Sequence, residues 1–418
     1  MPAIPAKQPE SAPLELGRPP ETDNRPGRLG VGSLIPLALM AWFLLDLTLR
    51  FLPLDWLRLR NYQTAMRLPG RYSPFGPNLQ IPTDDWVGEL PVMANLEPTE
   101  TRPPLRFTTD ALGFRATPGI SGRPPRVLLV DGDSFTFGAA LSDDETLAAA
   151  LTRKLGISVY NGGRNYTDPE GLAETGWLLE KLAHSPRTIL YIHLEITDHH
   201  LDPMGHLGRA DRYRQRLLRA AGTFALGERR YEDALSWMRR LEGWNLISPL
   251  EILAVRADKA MSDGRLLPNW RGDAVDVYRL PDGRRFLVER RFGTRALNPP
   301  GDAAVLENVE YLTWFHGEMK RCGIEVWFLL LPEGITLYAP WLVGKPAGGE
   351  TYLHRMERVL RGRGMEVINA LAEMRKTAAE DLAQGKLYYY REDHHWNPEG
   401  VELVAEAVAR ALRDNVKP

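Results

Sequence analysis

Arg126-Val127-Leu128-Leu129-Val130-Asp131-Gly132-Asp133-Ser134-Phe135-Thr136-Phe137-Gly138 is the stretch that decides the fold. Arg126 to Val130 is a short apolar run of the kind found in a strand buried on both faces. Beyond it, Ser142 and Glu145 form a capping-box signature ahead of Leu147, Leu151 and Leu155, so a helix follows the strand. The alternation recurs downstream. Ile157 to Tyr160, Thr188 to Leu194, Ile324 to Leu331 and Met365 to Ile368 read as strands with helical stretches between them. Asn397 and Pro398 open a last helix with Val401, Val404, Val408 and Leu412 on one stripe. Repeated strand and helix with buried strands predicts a three-layer α/β/α sandwich around a mostly parallel sheet. Ligands of such sheets gather at the carboxyl ends of the strands.

Outward from this core the pattern changes. The region from about Leu201 to Gly301 breaks the rhythm with arginine-laced helical pieces and one hairpin, Val275 to Leu280 and Arg285 to Glu289 around Pro281-Asp282-Gly283. It reads as a mixed insertion that covers or extends the site. Residues 53–125 are rich in Pro, Arg and Gly and read as an irregular stalk or lead-in to an α/β domain over 126–418. Before them, Leu29 to Leu45 carries no charge, and apolar residues continue past Asp46 and Arg50. A helix over 29–52 reaches the roughly 20 residues needed to cross a bilayer, so one transmembrane helix is expected there. Residues 1–28, with seven prolines among polar residues, read as a disordered tail.

Composition narrows the function classes. In 418 residues, 44% are hydrophobic and 25% charged, which excludes wholesale disorder and leaves ample material for a core. A mean hydropathy of -0.31 excludes a polytopic membrane protein. The net charge of -2 offers no global attraction for nucleic acid, and none is expected as a partner. Cys322 is the only cysteine, so neither an intrachain disulfide nor a cysteine zinc cage can form. His193, His199, His200 and His206 lack a helical pair with metal-ligand spacing, and no metal or other cofactor is expected.

Two short motifs carry chemistry. A serine at a strand-to-helix turn, as in Gly132-Asp133-Ser134, has its hydroxyl at the carboxyl edge of the sheet, with backbone N–H groups nearby to hold an oxyanion. Such a nucleophile needs a base, and the base needs an orienting group. Asp393-His394-His395-Trp396-Asn397-Pro398, just before the last helix, supplies both: His395 as base and Asp393 as its orienter. Each motif alone is also a common turn or capping sequence.

In order and type these blocks resemble the SGNH/GDSL hydrolase superfamily over about Phe107 to Leu412. Gly132-Asp133-Ser134 is similar to the family's nucleophile block, and Asp393-x-His395-Trp396-Asn397 to its terminal acid and histidine block. Asn161-Gly162-Gly163 resembles the glycine block, which implies the Gly163 N–H, beside that of Ser134, as an oxyanion donor. Thr108 to Arg115, with Gly113-Phe114-Arg115, and Leu331-Pro332-Glu333 with Tyr338 look like a membrane-anchored branch similar to bacterial alginate O-acetyltransferases. One block departs. Where the family has an asparagine that donates to the oxyanion, this chain has Thr197 in Leu194-Glu195-Ile196-Thr197-Asp198. A lost donor of that kind costs about 2.7 to 4 kcal/mol of transition-state stabilisation.

The resemblance implies a membrane-anchored serine esterase or O-acyltransferase acting on an ester, such as O-acetyl groups of a cell-envelope polysaccharide, with a membrane acyl-transfer or assembly partner. It also implies a soluble domain outside the cytoplasmic membrane. Arg50, Arg58, Arg60 and Arg67 after the apolar segment, against Arg18, Arg25 and Arg28 before it, count the other way. The alternative expectation is a degenerate scaffold or binding subunit, favoured by Thr197 and the large insertion.

Overall fold

The computed structural model describes residues 31–51, 74–81, 86–94, 96–120, 122–131, 133–164, 171–182, 184–196, 250, 253, 257, 275–342, 344 and 350–413. The chain divides into two units, Met1–Thr48 and Leu49–Pro418. Helix α1, Val31–Phe51, begins in the first, and Ile35, Leu39, Met40, Trp42, Phe43, Leu44 and Leu45 along it are all exposed. Among the described residues no helix is long and apolar enough to cross a membrane, so the spanning helix expected over 29–52 is not supported. The expected tail, 1–28, lies outside the described residues.

In the second unit, five parallel strands form the central sheet: β5 Val127–Asp131, β6 Val159–Asn161, β7 Thr188–Leu194, β10 Glu325–Leu331 and β11 Glu366–Asn369, in the order β11-β10-β7-β5-β6. Each was legible as an apolar run, and each is bounded within a residue or two of its sequence reading. All seven residues of β7 are buried, as are the last six of β10, because helices cover both faces. Helix α4, Leu147–Leu155, packs on the last helix, α11, Pro398–Leu412, which also meets α10, Ala370–Ala383; α7, Asp302–Arg321, pairs with α9, Tyr352–Gly362. On α11 the stripe of Val401, Val404, Val408 and Leu412 is fully buried.

The capping signature at Ser142 resolves differently from its sequence reading. The Ser142 N–H donates to Glu145 at 2.8 Å, but these residues frame a 3-10 turn, Asp143–Glu145, and the cap of α4 is Thr146.

Two further departures concern segments read as peripheral. Residues 53–125 were expected to be an irregular stalk; the part described, from Pro74, is folded. It makes the antiparallel ribbons β1 (Gln80–Ile81) with β4 (Phe107–Thr108) and β2 (Trp86–Val87) with β3 (Thr101–Arg102), and a short helix α2, Glu89–Met93. Phe75 and Phe107 pack edge-on against Phe137 from the nucleophile turn. Buried aromatics and a fully buried Arg115–Asp143 ion pair, 2.6 Å apart, hold this lead-in against the sheet domain. Of the insertion, the expected hairpin is present as β8 Val275–Arg279 and β9 Arg285–Glu289, followed by α6, Arg290–Leu297. Residues 201–274, apart from 250, 253 and 257, lie outside the described residues.

Candidate active site

Strand order dictates where a site can form. The chain leaves β5 for β6 on one side and returns to β7 on the other, so the crevice opens at the carboxyl end of β5. Asp131 (φ 57°) and Asp133 (φ 52°) both take left-handed backbone there, bending the chain sharply from strand into α3, Asp133–Phe137. Ser134 therefore sits in the first turn of that short helix. Its carbonyl accepts from the N–H groups of Gly138, at 3.1 Å, and Ala139, at 2.8 Å, which closes the turn.

The terminal motif reaches the same place. Asp393 Oδ1 lies 2.5 Å from His395 Nδ1, and His395 Nε2 lies 2.7 Å from Ser134 Oγ. A carboxylate at the first nitrogen fixes the proton on Nδ1, which leaves Nε2 to accept the serine hydroxyl. The local fold supports this geometry. The His395 N–H donates to Asp393 Oδ1 at 3.1 Å, its carbonyl accepts from Tyr390 N–H at 3.1 Å, and Asn397 caps α11 through the Gly400 N–H at 2.9 Å. Phe135 packs against the His395 ring with centroids 5.0 Å apart. Ser134 is 4% exposed and His395 1%. The structure thus brings together the three side chains the sequence singled out.

The expected oxyanion donors are placed less simply. Gly163 is pressed against α3: a Cβ there would lie 2.3 Å from the Phe137 nitrogen and 2.6 Å from the Thr136 carbonyl carbon. Its N–H donates to Asn161 Oδ1 at 3.0 Å, and the Ser134 N–H donates to Asp133 Oδ1 at 2.6 Å. Both groups are turned onto oxygens of their own chain. An incoming oxyanion must share or displace those acceptors. Thr197, the third expected donor, lies outside the described residues.

Residues missed in the sequence surround the acid. The N–H of Glu89, at the start of α2, donates to Asp393 Oδ2 at 3.3 Å, and its carboxylate lies 2.8 Å from His394 Nδ1. Glu392 is wholly buried; it accepts from Thr99 N–H at 2.7 Å, Thr99 Oγ1 at 2.5 Å and Glu100 N–H at 3.1 Å, and pairs with Arg285 of β9. The one signal in sequence was a Glu-Asp-His-His run. Its partners lay in a segment whose Pro and Gly content read as stalk.

A narrow cleft, partly open to solvent, adjoins the acid side of the triad, lined by Phe292, Glu289, Glu333, Tyr389, Asp393 and His394 among others. Glu333 is buried there, and desolvation, reinforced by Glu195 and Glu289, holds its carboxyl well above the ordinary range. Burial likewise pushes Glu195, at the end of β7, up to about 7. Glu89, Asp393, His394 and His395 offer ligand atoms within 4.8 Å of one another, but Asp393 and His395 are already paired with each other in the triad. Of the histidines weighed as a zinc cluster, His193 is buried in β7 facing Tyr352, and 199–206 lie outside the described residues.

A serine hydroxyl, an imidazole and a carboxylate stand in series at the carboxyl edge of a parallel sheet, the arrangement that serine-nucleophile hydrolases and acyltransferases use. Comparison with known proteins points the same way: residues 292–418 match the family model described as SGNH hydrolase-like domain, acetyltransferase AlgX, so this C-terminal part of the chain is similar to that family. The matched segment contains Asp393 and His395 but not Ser134. A solved structure from Desulfitobacterium hafniense DCB-2, assigned to the G-D-S-L lipolytic family, aligns over 69% of this chain and 99% of its own at 13% identity and a TM-score of 0.32. That likeness is too low to carry any argument. No curated protein matches the chain.

Proposed function

We propose that this chain is a serine esterase or O-acyltransferase acting on an ester, most naturally an O-acetyl group of a cell-envelope polysaccharide. The observation that carries the reading is the unbroken series Asp393–His395–Ser134, assembled from residues 261 positions apart. Ser134 Oγ attacks the acyl carbonyl as His395 Nε2 takes its proton, and Asp393 offsets the imidazolium charge. The tetrahedral oxyanion draws on the N–H groups of Ser134 and Gly163, with Thr197 as a third donor. Collapse breaks the ester C–O bond, the leaving oxygen takes the proton from His395, and an acyl-Ser134 remains. Water or a sugar hydroxyl then gives its proton to His395 and attacks the acyl carbon, which regenerates the serine.

The test is turnover of an activated acetyl ester, with fluorophosphonate labelling, by the full chain and by Ser134→Ala. Labelling and turnover in wild type alone are expected. Equal background rates with no labelling of either protein would remove the enzyme reading. A second reading, a scaffold or binding subunit that keeps the fold without the reaction, is favoured by one observation: both N–H groups expected to hold the oxyanion are bonded to Asp133 and Asn161.

The attachment proposed with this activity is the exposed apolar helix α1 seated in the cytoplasmic membrane, the catalytic unit outside it, near a polysaccharide substrate and a membrane acyl donor. A phosphatase fused to the C-terminus should be active in intact cells. Fluorescence of a C-terminal reporter confined to the cytoplasm would overturn the placement.

A further inference from the structure

The acid end of the triad is held by a segment far from it in sequence. Where 88–90 pass 392–393, the backbones approach so closely that a Cβ on Gly88 would lie 2.1 Å from the Glu392 carbonyl oxygen. The Leu90 N–H donates to that same oxygen at 3.2 Å. Glu89, 5% exposed, touches both imidazole–carboxylate partners of the terminal loop. Its backbone N–H is on Asp393 Oδ2, the oxygen that does not face His395, and its carboxylate is on His394 Nδ1. The His394 ring in turn lies against that of His395, with centroids 3.9 Å apart and planes 35° from parallel. Phe292 of α6 and Phe135 of α3 close the other sides of His394, at 5.4 and 5.9 Å. Two carboxylate–imidazole couples therefore lie side by side, and one residue of α2 joins them.

We propose that Glu89 is a positioning residue of the active site, acting through His394 to fix the plane and reach of the His395 ring. The inference rests on the catalytic reading of the triad. Its physical basis is pre-organisation: a base 2.7 Å from its serine loses most of its advantage if the ring can tilt, and a second ring lying against it, itself 2.8 Å from a buried carboxylate, restricts that freedom. The backbone N–H survives any side-chain change, so substitution at Glu89 tests the carboxylate arm alone.

The full-length chain in detergent is compared as wild type, Glu89→Ala, Glu89→Gln, His394→Phe and the Glu89→Ala/His394→Phe pair. Glu89→Ala is expected to lower kcat on an activated acetyl ester about ten- to a hundredfold with KM little changed, while Glu89→Gln, which keeps an oxygen toward His394, recovers part of the loss. If Glu89 acts through His394, the double variant loses no more than the worse single one. The second readout is the low-field proton resonance of His395 Nδ1, identified by its absence in His395→Gln, which should broaden or vanish in Glu89→Ala although the melting temperature holds. An unchanged resonance and kcat in Glu89→Ala, or fully additive losses in the pair, would overturn the proposal. Should Glu89→Ala not fold, Glu89→Gln and His394→Phe decide it by the same two measurements. Absence of turnover in wild type sinks the catalytic reading instead, and the resonance still decides the positioning role.

Discussion

Glu195 and Glu333 show how a single buried carboxyl ties pH to stability. They end neighbouring strands, and the Glu333 N–H donates to Glu195 Oε2 at 3.1 Å. Desolvation is the main cause of the raised value of Glu195; the Glu333 N–H and the charges of Arg375 and Arg295 offset only part of it. From an ordinary 4.5 to about 7 the folded state holds this proton more tightly than the unfolded chain. The sign follows directly. The contribution is complete below pH 4.5, falls as pH rises through the window to about 7, and is absent above it, a loss of up to about 3 kcal/mol. Wild-type melting temperature should fall across that window, and Glu195→Gln, which cannot ionise, should show a flatter curve. Parallel curves for the two proteins would show that Glu195 does not titrate there.

At the scale of elements, the nucleophile depends on close backbone contact more than on its own motif. Helix α3 has only five residues, too few to hold a shape by internal hydrogen bonds. Its position is set from outside, by Gly163 after β6 and by the lead-in. The Arg115 guanidinium, wholly buried, donates to the carbonyls of Gly138 at 3.2 Å and Leu141 at 2.6 Å just beyond α3, while its Nε meets Asp143 at 2.6 Å. A methyl group on Gly163 would strike the backbone of Thr136 and Phe137, which cannot yield as a side chain can. Gly163→Ala should therefore displace Ser134 as well as destabilise the fold, by about 2 to 4 kcal/mol. Melting curves and fluorophosphonate labelling check it together. A variant that melts like wild type and labels at the same rate would mean the approach is looser than drawn.

Across the whole molecule, the elements legible in the sequence were those whose burial is written in local pattern. The runs at 127–131, 188–194 and 325–331 could be read because strands covered on both faces must be apolar throughout. The last helix could be read because one stripe faces the core, and the hairpin at 275–289 because Pro281-Asp282-Gly283 supplies a turn. Ser134, Asp393 and His395 were legible for the same reason: a nucleophile turn and an acid–imidazole loop are short motifs at strand and helix ends. The lead-in was not, because ribbons of two residues each leave no periodicity, and their stability comes from long-range partners such as Glu392 and Asp143.

The amino-acid order by itself determined the layered α/β architecture, where along the chain its main strands fall, and which hydroxyl, ring and carboxylate belong to one family of sites. Only the tertiary structure decided that the serine and imidazole stand 2.7 Å apart, that Glu89 and His394 flank them, and that the expected oxyanion N–H groups rest on Asp133 and Asn161. The reason is one of range. Burial pattern and turn chemistry are properties of a few consecutive residues, whereas a contact between positions 89 and 393 exists only after the sheet and its helices have closed around them.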